Sequence, residues 1–459
     1  MALKKSEISA YAFYTVALTL FTSVSMSYTN IYMTDHLLYS AALMGTTLLV
    51  GRIVDFIIGL LAGGIIGKSN LKWGKYRSWT MICRFTAFAG TVLLFTNTSS
   101  LPTAAKVAIT ILGYILMHGS MDFLQPAQFG ILSSIAGADL QARNTLSIRG
   151  AQAMAVSSII ASATVIPLIN FFTPFVGAAN AYTVVAVLYG LIFLFGATFL
   201  IKAAAPYDQP QKGNANTQAP TPTVSQMFKS VVTNNQLLVY LSSSSLMYIG
   251  MMLMQSSMAY YFTYVLGDFL LMSVSMTATT SFAVVASIIG PKIGVKLGKK
   301  NAMVVGLLIN TASLLSITFL AKESLIIYII LSCINSLGMY TFTGFGPNYV
   351  IDAGEYHYYK TGVDNRALAM GMMNMPIKIG FIIGGTLAGY ALQAIGYTAG
   401  MTVTPEFVSK FMWVFTGIPS AFYLLGAIIM FLGYKITDED AAMYAKANAE
   451  RMAKAIQQA

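Results

Sequence analysis

The chain has 459 residues, of which 56% are hydrophobic and only 9% charged, against about 25% charged in a soluble domain. That balance excludes an ordinary globular protein and points to an all-α protein embedded in a lipid bilayer. The net charge of +11 would suit nucleic acid, but its distribution along the chain makes it a topology signal, and no nucleic-acid partner is expected.

Runs of about 20 apolar residues recur twelve times, beginning near Ser9, Ala41, Ser78, Ala104, Leu146 and Ala179, then near Gln236, Leu270, Ala302, Ser324, Ala367 and Ser409. The first follows Lys4 and Lys5 as a signal peptide would. It is too long for a signal core and lacks a small-residue cleavage site, so it reads as a retained helix. The second, LMGTTLLVGRIVDFIIGLLAGGII, carries Arg52 and Asp55. An ionised carboxylate within a span costs about 2.5–3.5 kcal/mol on insertion scales, so Asp55 is expected to face a polar interior. Arg52, three residues away, is its local alternative partner. In the third span Arg84 reads as reaching the cytoplasmic surface. The fourth, GYILMHGSMDFLQPAQFG, sets His118, Asp122 and Gln125 on one face. Amides and carboxylates beside apolar faces suit a polyhydroxylated ring; for His118 the preferred reading is hydrogen-bonded packing.

Between the sixth and seventh spans, AAPYDQPQKGNANTQAPTPT is the only long polar stretch and reads as a linker. The expected organisation is therefore 1–203, a linker over 204–235, 236–434 and a tail at 435–459 with a surface helix capped by Thr437. In the tenth span, Tyr340, Phe342 and Phe345 could stack on a sugar ring or simply pack. In the eleventh, Lys378 lies too far from either end to snorkel, with Asn374 one turn earlier and Gly384, Gly385 and Gly389 allowing close helix approach. Cys83 and Cys333 have no metal-ligand spacing and no expected disulfide. Nothing in the chain makes a catalytic constellation, so no enzyme is expected.

Of 27 Lys and Arg, only Lys106, Lys322 and Lys410 fall on segments read as outside. That bias sets both termini in the cytoplasm of a multi-pass cell-membrane protein. Loop chemistry also repeats at half-chain spacing. LKWGKYR returns as KLGKKN, and ADLQARNTLSIRG (Asp139, Arg143, Arg149) as IDAGEYHYYKTGVDNR (Asp352, Glu355, Lys360, Asp364, Arg366). Two six-helix bundles with matching cytoplasmic loops are the major facilitator layout, whose site lies between the halves at the midplane.

With those residues in view, the chain resembles the glycoside–pentoside–hexuronide:cation symporters, the family of the melibiose carrier. The likeness is best in IYMTDHLLYSAALMGTTLLVGRIVDFIIG, LKWGKYRSW, YVIDAGEYHYYKTG and MMNMPIKIGFIIGGTLAGYALQAIGY. The resemblance implies that Asp55 matches the helix II acid of the cation site and Lys378 the helix XI lysine beside it. Arg149 falls near the family's helix V arginine at the sugar site. The second helix II acid is replaced by Gly59, the helix I acid is absent, and the helix IV acid aligns with Pro126, one turn after Asp122. In the late cytoplasmic loop, acid and base look exchanged at Asp364 and Arg366.

The resulting expectation is a twelve-helix secondary transporter, not an enzyme, moving a sugar or glycoside with a cation by alternating access, as a monomer. Asp55 and Lys378 would carry coupling. Asp122, Arg149, Asn374, Tyr340 and Gln125 would hold the solute. Asp139, Arg143, Asp352, Glu355, Asp364 and Arg366 would bridge the halves as a gate. No cofactor is expected beyond the coupling ion, a proton in preference to sodium because Gly59 removes a carboxylate. A non-sugar solute on the same fold, sodium coupling, and a membrane enzyme or receptor are the alternatives.

Overall fold

The computed structural model describes residues 3–137, 139–210, 229 and 231–458, and the described residues contain helices and no strand. The first half comprises α1 (Lys5–Ile31), α2 (Ala41–Lys68), α3 (Lys75–Leu94), α4 (Thr103–Ala136), α5 (Leu140–Val176) and α6 (Ala178–Ala203). The second comprises α7 (Asn235–Tyr260), α8 (Leu270–Leu297), α9 (Lys299–Leu320), α10 (Leu325–Thr343), α11 (Gly346–Thr361), α12 (Arg366–Gly371), α13 (Met375–Ala394), α14 (Pro405–Met412) and α15 (Ile418–Gly433). A last helix, α16 (Asp438–Gln458), packs on α11, and the Thr437 hydroxyl accepts from the Asp440 N–H at 3.1 Å at its start. Of the stretch read as a linker, residues 211–228 and 230 lie outside the described residues.

Among the described residues, eleven helical stretches are long and apolar enough to cross a membrane, with α10–α11, α12–α13 and α14–α15 each forming one. The twelfth span is α3, whose 20 residues rise about 30 Å, the thickness of a bilayer core. Its basic residues lower its hydropathy, and one of them departs from expectation. Arg84 does not reach the surface: it is buried, donating to Thr198 Oγ1 at 2.6 Å on α6 and lying over the Phe85 ring. Large apolar side chains such as Phe175, Phe195, Ile326 and Leu432 stay exposed on the outside of the bundle, where lipid would cover them.

Several helices end or break where proline dictates. A proline lacks the N–H of a helical turn and clashes with the carbonyl four residues earlier. Pro376 stands in the first turn of α13, and the eleventh span is broken over Met372–Asn374 immediately before it. Pro347 likewise opens α11 after a break at Gly344 and Phe345. The breaks free backbone groups in mid-span, which is tolerated only where they face protein or a cavity.

The two halves repeat at the level of single bonds. Both α1 and α7 run on into a wide π-helical turn, Tyr32–His36 and Tyr261–Val265. The Tyr32 hydroxyl donates to Phe95 O at 2.8 Å, just past α3, and Tyr261 donates to Ala321 O at 2.5 Å, just past α9. The repeated Gly-Lys loops are anchored alike. Gly74 takes φ +106, a value favouring glycine, and Asp208 accepts from the N–H groups of Lys75, Tyr76 and Arg77 at 2.9, 2.8 and 2.6 Å. Gly298 takes φ +75, and Asp438 lies 3.4 Å from both the N–H and the Nζ of Lys299. In each half an acid following the last helix caps the third.

The halves meet through α2 against α13, α5 against α8 and α1 against α7. Close approach rests on glycine: a Cβ at Gly389 would sit 2.6 Å from Ala41 O and 2.7 Å from the Gly45 Cα.

Candidate functional site

Three ionisable side chains from both halves converge midway along the interface. Lys378 on α13 places Nζ 3.2 Å from Asp55 Oδ2 on α2 and 2.6 Å from Asp122 Oδ1 on α4. Gly59, one turn after Asp55, makes room for this. A Cβ there would lie 2.7 Å from Lys378 Nζ and 2.8 Å from Asp122 Oδ2. The carboxylate missing from the second helix is thus supplied by the fourth. Asp122 Oδ2 is buried and accepts no hydrogen bond from any donor among the described residues, a costly condition for a carboxylate oxygen.

The triad lies on a cavity of about 360 Å³ that Gln125, Asn374, Phe56 and Phe381 also line, within the size range of small-molecule sites. Asn374 reaches it because it sits at the helix break that Pro376 enforces. His118 is buried at the wall, stacked on Tyr114 with ring centroids 4.1 Å apart.

Two expected solute residues are not brought to this cavity. Arg149 is exposed on α5, donates to Gln152 Oε1 at 3.1 Å and is not among the residues lining the cavity. Tyr340 is not among the residues lining this cavity, and its backbone packs closely against Gly290 of α8.

The six residues expected to gate are held within their own halves. Asp139 caps α5 through the N–H groups of Gln141 and Ala142, and Arg143 donates to Gly137 O at 3.2 Å. Asp352 pairs with Lys299. Arg366 bonds Glu355 at 2.8 Å and Asp364 at 2.6 Å; that guanidinium holds the Asp364 carboxyl below the usual carboxylate range. Each of the six thus has a partner within its own half, and no bridge among them between halves is seen among the described residues.

The cross-half lock lies at the other end, opposite the termini, and the sequence reading overlooked it. Asp35, in the wide turn after α1, accepts from Tyr264 at 2.7 Å and from Tyr397. Thr34 bonds Tyr260 at 2.9 Å and Thr46 bonds Tyr390 at 2.9 Å. An acid closing the first apolar run was the available signal. The sequence offers Arg52 only as a partner for Asp55; the structure buries it against Gly385 of the opposite half, without an ion pair to Asp55 among the described residues.

The profile of the MFS/sugar transport protein family matches residues 10–438. The glucuronide carrier protein homolog of Escherichia coli (strain K12) is 24% identical over 411 residues, covering 89% of this chain and 87% of that one. The isoprimeverose transporter of Lactiplantibacillus pentosus is 25% identical over 445 residues, covering 96% and 90%. The crystal structure of a D-xylose–proton symporter superposes with a TM-score of 0.66 at 13% identity, covering 94% of this chain and 98% of that one, a likeness of fold. With its twelve spans and a charged cavity between two halves, the chain belongs to the MFS/sugar transport protein family, as a glycoside–pentoside–hexuronide:cation symporter-type transporter and not an enzyme.

Proposed function

We propose that this protein is a cation-coupled symporter of a sugar or glycoside, with a proton as the coupling ion, working by alternating access in the cell membrane with both termini in the cytoplasm. The observation that carries the reading is the Lys378 ammonium of one half held between Asp55 and Asp122 of the other, on a cavity of solute size. The named relatives support a sugar-type solute.

A bridge between halves ties their relative position to its ionisation. The unpartnered Asp122 Oδ2 can accept a proton, and protonation weakens the hold on Lys378 and frees the halves to move. A sodium ion would need several oxygens, and Lys378 already occupies one from each carboxylate. Gln125 and Asn374 offer paired donors and acceptors to hydroxyls, and Phe56 and Phe381 offer apolar faces. The tyrosine lock around Asp35 would close the outward side, making this the inward-facing state. A cation and a solute that both favour the closed intermediate couple their movements.

The presence of two carboxylates is the observation that favours sodium as a second reading. Both are tested by uptake of radiolabelled sugars into proteoliposomes under an imposed pH gradient, then an imposed sodium gradient, with Asp55→Asn as control. Accumulation driven by pH and lost in Asp55→Asn is the expected result. Accumulation driven by sodium alone would replace the proton in this reading, and absence of counterflow with any sugar would end it.

A further inference from the structure

Three residues before Asp55, the Arg52 side chain crosses the interface and lies against Gly385, where a Cβ would overlap the guanidinium. It is 7% exposed, and its Nε and Nη1 are buried and donate to no acceptor among the described residues. A guanidinium cannot shed its charge by losing a proton, so leaving it unmatched in a low-dielectric interior is costly. Asp55 does not match it: that carboxylate turns to Lys378, which Asp122 also holds.

The guanidinium lines a cavity of about 30 Å³ of its own. Thr29, Asn30, Gln255 and Ser256 are on the wall, and among the described residues no Asp or Glu is. Asn30 donates to Ser256 O at 3.3 Å across the two halves. The volume suits one or two water-sized particles and is far too small for a sugar. A monatomic anion fits it, and the Gln255 amide can add donors to those of the guanidinium. Water would meet the donors without balancing the charge. Chloride does both, and a guanidinium, being weakly hydrated, gives up water readily for an anion.

The charges of this cavity and its larger neighbour set the condition for binding. They are Arg52 and Lys378 against Asp55 and Asp122, with His118 and Tyr114 the other titratable groups on the walls and Tyr114 beside the guanidinium. With both acids ionised the four charges sum to zero, and the carboxylates oppose an added anion. With Asp122 neutral, one positive charge is left over, and the guanidinium is the group that carries it without a partner.

We propose that Arg52 is the receptor for a chloride ion, bound between the halves when Asp122 is neutral. The cavity is walled by α1, α2 and α4 on one side of the interface and by α7 and α13 on the other. The ion therefore ties the halves together in the state closed at the Asp35 end and is released when that end opens. The site is separate from the triad, so it goes beyond the symport reading and does not depend on which solute is carried.

The test uses the full chain, purified, and melts it across a chloride series in which gluconate keeps ionic strength and sodium constant at one pH. The melting temperature is expected to rise saturably with chloride and not with gluconate, which the cavity excludes. Asp122→Asn should lower the half-saturating chloride concentration on the order of tenfold, as removal of a nearby unit charge does at an effective dielectric constant of about 20. Arg52→Gln should remove the response. Gln255→Glu sets a fixed carboxylate on the same wall and should remove it too, with helical circular dichroism retained; this variant decides where Arg52→Gln does not insert. Crystals soaked in bromide should show an anomalous peak beside the guanidinium. A response that gluconate reproduces, one that survives Gln255→Glu, an unshifted half-effect in Asp122→Asn, or a cavity without bromide each overturns the proposal. Sugar counterflow enters none of these readings, so their failure leaves symport standing, and failure of counterflow leaves the chloride site standing.

Discussion

Gly59 and Asp122 show how one absent side chain relocates a charge. With no Cβ at 59, the Asp122 carboxylate and the Lys378 ammonium occupy the vacated volume. Gly59→Ala is therefore expected to displace that pair and lower solute uptake on the order of tenfold, since overpacking forces neighbours off their geometry; initial rates in vesicles, beside circular dichroism of the purified variant, would check it. Asp122→Asn keeps the shape and removes the titratable oxygen. It should abolish pH-driven accumulation while leaving sugar counterflow measurable, and retained accumulation would assign the proton elsewhere. At the edge of the bundle, Asp364 illustrates a charge of small weight. Its carboxyl is held low by Arg366, so the stability it lends is full above its unfolded pKa and disappears as pH falls through the lower folded value. The pair is substantially exposed on the acid's side, 45%, so the contribution stays below about 1 kcal/mol. Asp364→Asn should move the melting temperature little at neutral pH and not at all in strong acid.

Among the elements, the paired wide turns after α1 and α7 aim Asp35 and Tyr264 at one another across the halves. Such turns insert an extra residue into the helical ladder and are frequent at functional places. Tyr264→Phe removes one donor to a carboxylate, a bond worth about 1.5–3 kcal/mol. The expected outcome is a shift of the population towards opening at the Asp35 end, read as faster labelling of a cysteine placed at Ser27 by an impermeant reagent added outside. Unchanged labelling would mean that the lock does not govern that end. The break before α13 has a similar local cause. Pro376→Ala lets α12 and α13 join into one helix, which would swing Asn374 away from the cavity and raise the half-saturating solute concentration; hydrogen exchange across residues 371–375 would report the new helix.

At the scale of the molecule, the two halves are tied by the triad at mid-depth and the tyrosine lock at one end, while the ion pairs near the opposite end lie within the second half. A molecule closed at one end and charged at its centre suits motion of one rigid bundle against the other. Its orientation in the membrane is predicted from the excess of basic residues at the termini-bearing end. A cysteine at Ser100 should react with an impermeant reagent from outside intact cells and one at Gln209 should not, and the reverse pattern would turn the whole topology over.

The positions of the spans, the repeat of the Gly-Lys loops and the two intramembrane charges at Asp55 and Lys378 were legible in the sequence. Hydropathy over a span and the cost of burying a charge are local properties that any run of 20 residues displays. Even Asp122 was visible as an isolated acid on a polar face of its helix. Its partner was not, for Asp122 meets Lys378 across 256 positions, and only the packing of α4 and α13 against α2 decides that the two share one cavity. The same reason removed Arg149 and Tyr340 from the site: a residue's type and span can be read, but the side of the bundle its turn of helix faces is set by neighbours distant in the chain. In the sequence Asp35 is an acid at the end of an apolar run and draws no reading, and Arg52 reads as the companion of the acid three residues on. Their roles depend on which groups of the opposite half lie within bonding distance, and that the folded interface alone determines.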